Sequence, residues 1–187
     1  MTDRLRWGIL GTGWISTQFT SDLLLTGHVV TAVGSRTQEA ADAFAAAHGI
    51  PTAHPSYEAV VADPQVDAIY VGTPHPFHEA NATLALEAGK HVLLEKPFTL
   101  NAAQAQTVVD LAASKKLVVL EAMWTRWMPH MIRIRELLAA GALGELRSLI
   151  ADHDQKLPTD VEHRIQNPDL GGGALRSEER RVGKECW

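Results

Sequence analysis

The run His91-Val92-Leu93-Leu94-Glu95-Lys96-Pro97 sets an ammonium group at the end of an apolar stretch. Taking an ammonium out of water is costly unless it has a partner or a purpose. A desolvated amine gives up its proton more readily than a solvated one, which suits proton transfer. Glu95 is the adjacent candidate partner. Pro97 fixes its own φ and so sets the direction in which the chain leaves the stretch. The same residues also fit a bland alternative, a solvated Lys–Glu pair at a strand terminus. What separates the two readings is the company Lys96 keeps.

A second candidate is the loop Gly11-Thr12-Gly13, between an apolar run at residues 5–10 and a helical pattern beginning at Trp14 and Ile15. Gly11 permits a tight turn, and Gly13 lets a pyrophosphate approach the backbone. The helix then points its unbonded N–H groups at the anion. Ser16 takes the third-glycine position of the usual fingerprint; it is small enough for close packing but a departure from the pattern. A third candidate is Ser35-Arg36 at the next strand end. A carboxylate there grips the ribose 2′-hydroxyl of NAD, whereas a basic residue accommodates the 2′-phosphate of NADP. No acid occurs until Glu39, so the charge logic favours NADP over NAD. A methyltransferase can also use a glycine turn, but it would need an acidic residue after the second strand, and Ser35-Arg36 counts against that. Thr73-Pro74-His75 closes a further apolar run, and Glu121 another. The spacing of His75 and His78 is i, i+3 without further ligands nearby, and no metal site is expected.

These residues need a scaffold that brings strand ends together. Apolar runs at residues 5–10, 29–35, 67–72, 91–95 and 117–121 read as strands, with a short one near Thr52. Helical patterns fall at residues 14–26, 38–48, 77–88 and 101–115, with Ala80, Leu84 and Ala88 on one face of the third. Asn101 and Gln104 stand at capping-box spacing. Strands alternating with helices imply an α/β fold, a doubly wound parallel sheet of Rossmann type with helices on both faces. In such sheets ligands bind outside the carboxyl ends of the strands. After Ala122 the rhythm changes to a helix at residues 128–140 and a strand at 146–154. The expected organisation is a nucleotide-binding domain over 1–122, the start of an α/β substrate domain over 123–175, and a charged tail over 176–187.

Composition bounds the partners. The chain has 187 residues, 45% of them hydrophobic and 21% charged, with a net charge of −5. An acidic balance argues against nucleic acid, which needs a basic surface. Cys186 stands alone, which excludes a disulfide within the chain and fits a reducing compartment. The start MTDRLRWGIL lacks the apolar core of a signal peptide, and no apolar run is long enough to span a bilayer. A cytoplasmic address without membrane partners is expected.

Taken together, GILGTGWIS, AVGSRT, VGTPHPFHEAN, LLEKPFTLN and NPDLGGGAL resemble the Gfo/Idh/MocA family of nicotinamide-dependent oxidoreductases over about residues 4–175. EAMWTRWMP and LGELRSLIADH look most like its dihydrodiol and NADP-dependent sugar dehydrogenases. The resemblance implies hydride transfer between NADP and a hydroxyl of a cyclic diol or aldose, with Lys96 assisting proton transfer at the substrate hydroxyl and the nicotinamide ribose. It implies that Thr73, Pro74 and His78 line the cofactor, that Glu95 sits beside the nicotinamide, that Pro97 is cis, and that Trp124 and Arg126 border the substrate. For Trp124, an apolar hinge face between domains is the competing reading. Relatives of full length are expected to form homo-oligomers through the sheet of the second domain. Past Leu175 the pattern breaks: Ser177 and Arg181 stand where the family has an aspartate and a tyrosine or histidine. The twelve residues from Arg176 carry four basic and three acidic side chains without apolar periodicity, and the tail is expected to be disordered. The expectation is a fragment that binds NADP with weak or no turnover and poor solubility. The alternative is a dinucleotide-binding fragment with no catalytic role.

Overall fold

The computed structural model describes residues 4–150 and scattered positions between 159 and 172. The chain divides into two units, Met1–Glu121 and Ala122–Trp187.

In the first unit, strands β1 (Arg6–Leu10), β2 (Val29–Gly34), β3 (Thr52–His54), β4 (Ala68–Val71), β5 (His91–Leu94) and β6 (Val119–Glu121) form one sheet in the order β3-β2-β1-β4-β5-β6. Every pairing is parallel. Helices α1 (Trp14–Leu25), α2 (Gln38–His48), α3 (Tyr57–Ala62), α4 (His78–Glu87) and α5 (Ala102–Lys115) connect the strands. Ile9, Val33 and Tyr70 enter one core with Leu23 of α1 and Phe44 of α2. Their strand neighbours Leu10, Ala32, Ile69 and Val71 enter the other core with Val60, Leu86 and Val108. Side chains alternate across a strand, so covering both faces demands apolar residues at every position. That requirement explains the unbroken apolar runs.

Among the described residues, three of the five helices of the first unit are closed at their start by a side chain. Thr37 accepts from the Ala40 N–H, Ser56 from Ala59, and Asn101 from Gln104. The Gln104 side chain accepts from the Leu100 N–H at 3.0 Å, one residue before the cap. Helices α1 and α4 have no side-chain cap; in α1 the N-cap is Gly13 and the first turn has no acidic residue, whereas Glu79 stands in the first turn of α4.

Two readings are corrected here. Helix α3 has no counterpart in the expected elements; Ser56 with Tyr57, Val60 and Val61 carries its signal, but six residues hold less than two turns of periodicity. In α4 the buried face is His78, Asn81, Ala82, Ala85 and Leu86, not Ala80, Leu84 and Ala88. An Ala-rich helix offers small residues on several faces, and here the polar pair His78 and Asn81 goes inward because the strand-end loops offer it partners.

In the second unit, a 3₁₀ turn (Trp124–Trp127) leads into α6 (Pro129–Ala139). Residues 146–150 form no strand, and Leu149 and Ile150 are almost fully exposed. A strand needs a ladder partner for its N–H and C=O groups, and none pairs with these positions among the described residues. The expected strand positions 151–154 and the tail over 176–187 lie outside the described residues. No described helix is long and apolar enough to cross a membrane.

Candidate functional site

Register fixes the site. Leu10 pairs with Gly34 on one side and with Val71 on the other, Val71 with Leu94, and Leu94 with Glu121. The residues that follow these partners therefore leave the sheet at one level. Gly11, Ser35, Thr73, Glu95 and Lys96 share that carboxyl edge. The strand order reverses between β1 and β4, so the edge carries the crevice in which open α/β sheets hold ligands.

Gly11 has φ +95°, a conformation that side chains rarely tolerate, and its N–H donates to Gly34 O at 3.0 Å. A Cβ there would meet Gly72 O at 3.2 Å. Gly13 is extended and exposed, and a Cβ there would meet nothing within 4 Å. The first residues of α1, Trp14 and Ile15, are exposed and half-buried respectively, with the uncapped helix N-terminus before them. This open, uncapped start is a cradle of the right chemistry for a pyrophosphate. Ser16 is fully buried against Gly72, so closely that a Cβ on Gly72 would overlap its hydroxyl. The small residue at the third fingerprint position thus serves helix–strand packing.

Thr12 Oγ1 lies 3.4 Å from Ser35 Oγ, which ties the glycine loop to the end of β2. Ser35 is buried and Arg36 is exposed beside it. The charge of Arg36 reaches Tyr57: burial pushes that phenol up and Arg36 pulls it partly back. A basic and a hydroxyl residue thus follow β2 in succession, and no acidic side chain occupies α2 before Glu39.

Lys96 and Glu95 are both buried, 9% exposed. The Glu95 carboxylate accepts from the Tyr70 hydroxyl at 2.8 Å through one oxygen and from the Lys96 backbone N–H at 2.9 Å through the other. The Lys96–Pro97 peptide is cis. Phe98 N–H donates to Glu121 Oε1 at 2.8 Å, which holds the loop after β5 to the end of β6.

The structure places His78 between two strand-end loops. It is fully buried, with Nδ1 2.8 Å from Pro97 O and Nε2 2.9 Å from Thr73 O. Its ring lies between the loop after β4 and the loop carrying Lys96, and in its neutral form it donates to one of these two carbonyls. Asn81 supports the same loop by donating to Thr73 Oγ1 at 3.0 Å. Thr73 is buried, Pro74 exposed and His75 half-buried, its ring 5.4 Å from that of His78. Tyr70 and Asn81 escaped the sequence reading.

Burial pushes the His78 imidazole below its ordinary 6.5, against the pull of the Pro97 and Thr73 carbonyls, the Phe98 backbone and the Glu121 charge. The unfolded chain therefore binds this proton more readily than the folded one. The contribution is intact above the unfolded value and is lost as pH falls from about 6.5 through the folded value. A His78→Gln variant is expected to flatten that limb when urea midpoints are measured against pH. A limb as steep as in the parent would show that other groups carry it.

Trp124 and Arg126 lie in the second unit, both exposed, and Arg126 O accepts from Arg135 at 2.6 Å. Among the described residues no group of three His, Cys, Asp or Glu could hold a metal ion. A cavity lined by Arg4, Pro64, Asp67, Lys90 and His91 sits at the opposite, amino edge of the sheet. Its polar groups are committed: the Arg6 guanidinium holds the Asp67 carboxyl down to about 2, and Lys90 Nζ donates to Asp63 O and Val66 O.

Comparison with known proteins agrees with this fold. The family model for GFO_IDH_MocA, an oxidoreductase family with an NAD-binding Rossmann fold, matches residues 5–123. A D-xylose 1-dehydrogenase (NADP(+)) from Hypocrea jecorina is 44% identical, covering 91% of this chain and 49% of that protein. A trans-1,2-dihydrobenzene-1,2-diol dehydrogenase from Bos taurus is 43% identical, covering 91% and 52%. Among solved structures, a 3-ketoreductase from Actinomadura kijaniata in complex with NADP has TM-score 0.68 and 31% identity, covering 76% of this chain and 46% of that one. An NAD binding oxidoreductase from Klebsiella pneumoniae has TM-score 0.72 and 27% identity, covering 76% and 40%. The chain spans about half the length of the curated relatives it matches.

Proposed function

The chain belongs to the GFO_IDH_MocA oxidoreductase family, and from that premise we propose that it is the cofactor-binding half of an NADP-dependent dehydrogenase acting on a cyclic diol or an aldose. The observation that carries this reading is the shared carboxyl edge. The uncapped start of α1 lies beside Ser35 and Arg36 on one side of the strand-order reversal, and Lys96 lies beyond it on the other.

In this reading the nicotinamide, when bound, supplies hydride exchange with the carbon that carries the substrate hydroxyl. The N–H groups at the start of α1 hold the pyrophosphate, and Gly13 keeps the approach clear. Ser35 and Arg36 bind the 2′-phosphate. Lys96 is the catalytic residue: its ammonium hydrogen-bonds the substrate hydroxyl and exchanges the proton at Nζ. Glu95 flanks it. Trp124 and Arg126 supply substrate contacts on the strength of the family resemblance, and residues 123–175 begin the substrate domain. The same resemblance supports a homo-oligomer in relatives of full length. The single cysteine supports a cytoplasmic address.

A second reading is that the chain binds the dinucleotide without turnover: Trp124 and Arg126 are both exposed, and catalysis needs the substrate positioned as well as the cofactor. Tryptophan-quench titration with NADPH and NADH tests the first step of both readings, and tighter binding of NADPH is expected. Equal affinities would refute the cofactor assignment. Turnover with a panel of aldoses and diols then separates dehydrogenase from binding fragment.

A further inference from the structure

Tyr70 is the largest fully buried side chain of the described residues, yet its hydroxyl ends at the functional edge. Its ring is stacked on Phe19 of α1, centroids 3.8 Å apart with 13° between the planes, and Trp7 meets Phe19 edge-on at 5.8 Å. The phenol therefore has one reachable partner direction, along the sheet toward Glu95. Burial, then the neighbouring Glu95 charge, pushes the Tyr70 hydroxyl far above the ordinary tyrosine range, so it stays protonated and donates. A carboxylate offers about four acceptor sites on two oxygens. Here one oxygen takes the Tyr70 O–H and the other takes the Lys96 backbone N–H. Two donors on different oxygens fix both the position and the plane of the group.

We propose that Tyr70 is a positioning residue for the nicotinamide end of the site, acting through Glu95. The Phe19–Tyr70 stack joins the helix that meets the pyrophosphate to the carboxylate beside Lys96. The phosphate end and the nicotinamide end are thereby set against one rigid post. This inference rests on the dinucleotide reading given above. Its test concerns the nicotinamide-ribose half, because the Tyr70 hydroxyl acts on Glu95.

Tyr70→Phe deletes the hydroxyl and keeps the ring and its stack. The expected result is about a fivefold to tenfold weaker NADPH affinity, less than a full hydrogen bond to a charged group because the loss reaches the dinucleotide only through Glu95. Adenosine 2′,5′-bisphosphate, which lacks the nicotinamide half, is expected to bind unchanged. Glu95→Gln is expected to weaken NADPH as well, and the double variant to lose no more than the larger single loss. Equal losses for both ligands, unchanged NADPH binding, or additive losses in the double variant would each overturn the proposal. If the parent chain binds neither ligand, the dinucleotide reading fails first, and a ligand-free measurement still judges Tyr70. Its hydroxyl proton is expected to exchange slowly in NMR spectra of the parent and to be lost or shifted in Glu95→Gln. A hydroxyl signal indifferent to that substitution removes the link.

Discussion

Replacing Arg36 by alanine is expected to weaken NADPH binding roughly 30-fold while leaving NADH within about twofold. A phosphate–guanidinium pair is charge-assisted and can be bidentate, so it exceeds a neutral hydrogen bond. Arg36 is exposed, and screening by salt limits what its charge supplies. The loss is therefore expected to shrink as ionic strength rises. Ser35 is a different case: it is buried and its hydroxyl already faces Thr12. Ser35→Ala should cost less than Arg36→Ala and should depend less on salt. The measurement is a fluorescence titration of each variant with both dinucleotides at two ionic strengths. An equal loss for NADPH and NADH would place Arg36 against the adenine or the fold and would remove it from 2′-phosphate recognition.

Arg36 was legible in the sequence because it depends only on local order, the residue after a strand. The same holds for Gly11, Gly13, Glu95 and Lys96. Continuous apolar runs mark strands buried on both faces, and whatever follows such a run stands at the edge. Once every pairing is parallel, those edges coincide, so the shared edge of the candidate site follows from the rhythm alone. Tyr70 was hidden within its own strand, where it reads as one more large residue in an apolar run. Its role depends on β4 lying beside β5 in one register, with Tyr70 opposite Leu93, and on Phe19 arriving from α1. His78 was placed at the right loop, but its backbone partners were not legible. Position along the chain put it near the crevice, whereas the rotation of α4 turned it inward to two carbonyls. Residues 146–150 failed in the other direction. Their apolar character suits a strand, but no partner strand pairs with them among the described residues, so the pattern alone does not make one.

The two glycines of the loop before α1 should fail in opposite ways when substituted. Gly13→Val is expected to leave the urea midpoint of the first unit nearly unchanged and to weaken NADPH binding more than about 100-fold. Gly13 is extended, a conformation open to any residue, and nothing lies within 4 Å of its missing Cβ. The protein does not need that space, so the fold tolerates the side chain. In the proposed reading the pyrophosphate does need it, and a β-branched side chain would hold phosphate oxygens away from the N–H groups of α1. Gly11→Ala is expected instead to destabilise the unit by about 2–5 kcal/mol, before any ligand is added. Its φ of +95° disfavours a side chain, and the new Cβ would meet Gly72 O at 3.2 Å and the Thr73 methyl at 3.4 Å. Those contacts join β1 to β4 at the point where the strand order reverses, so relaxing them opens the crevice itself. Denaturation and NADPH titration of both variants separate the two roles. A Gly13→Val protein that folds and binds NADPH like the parent would mean that the open start of α1 is not where the phosphates lie.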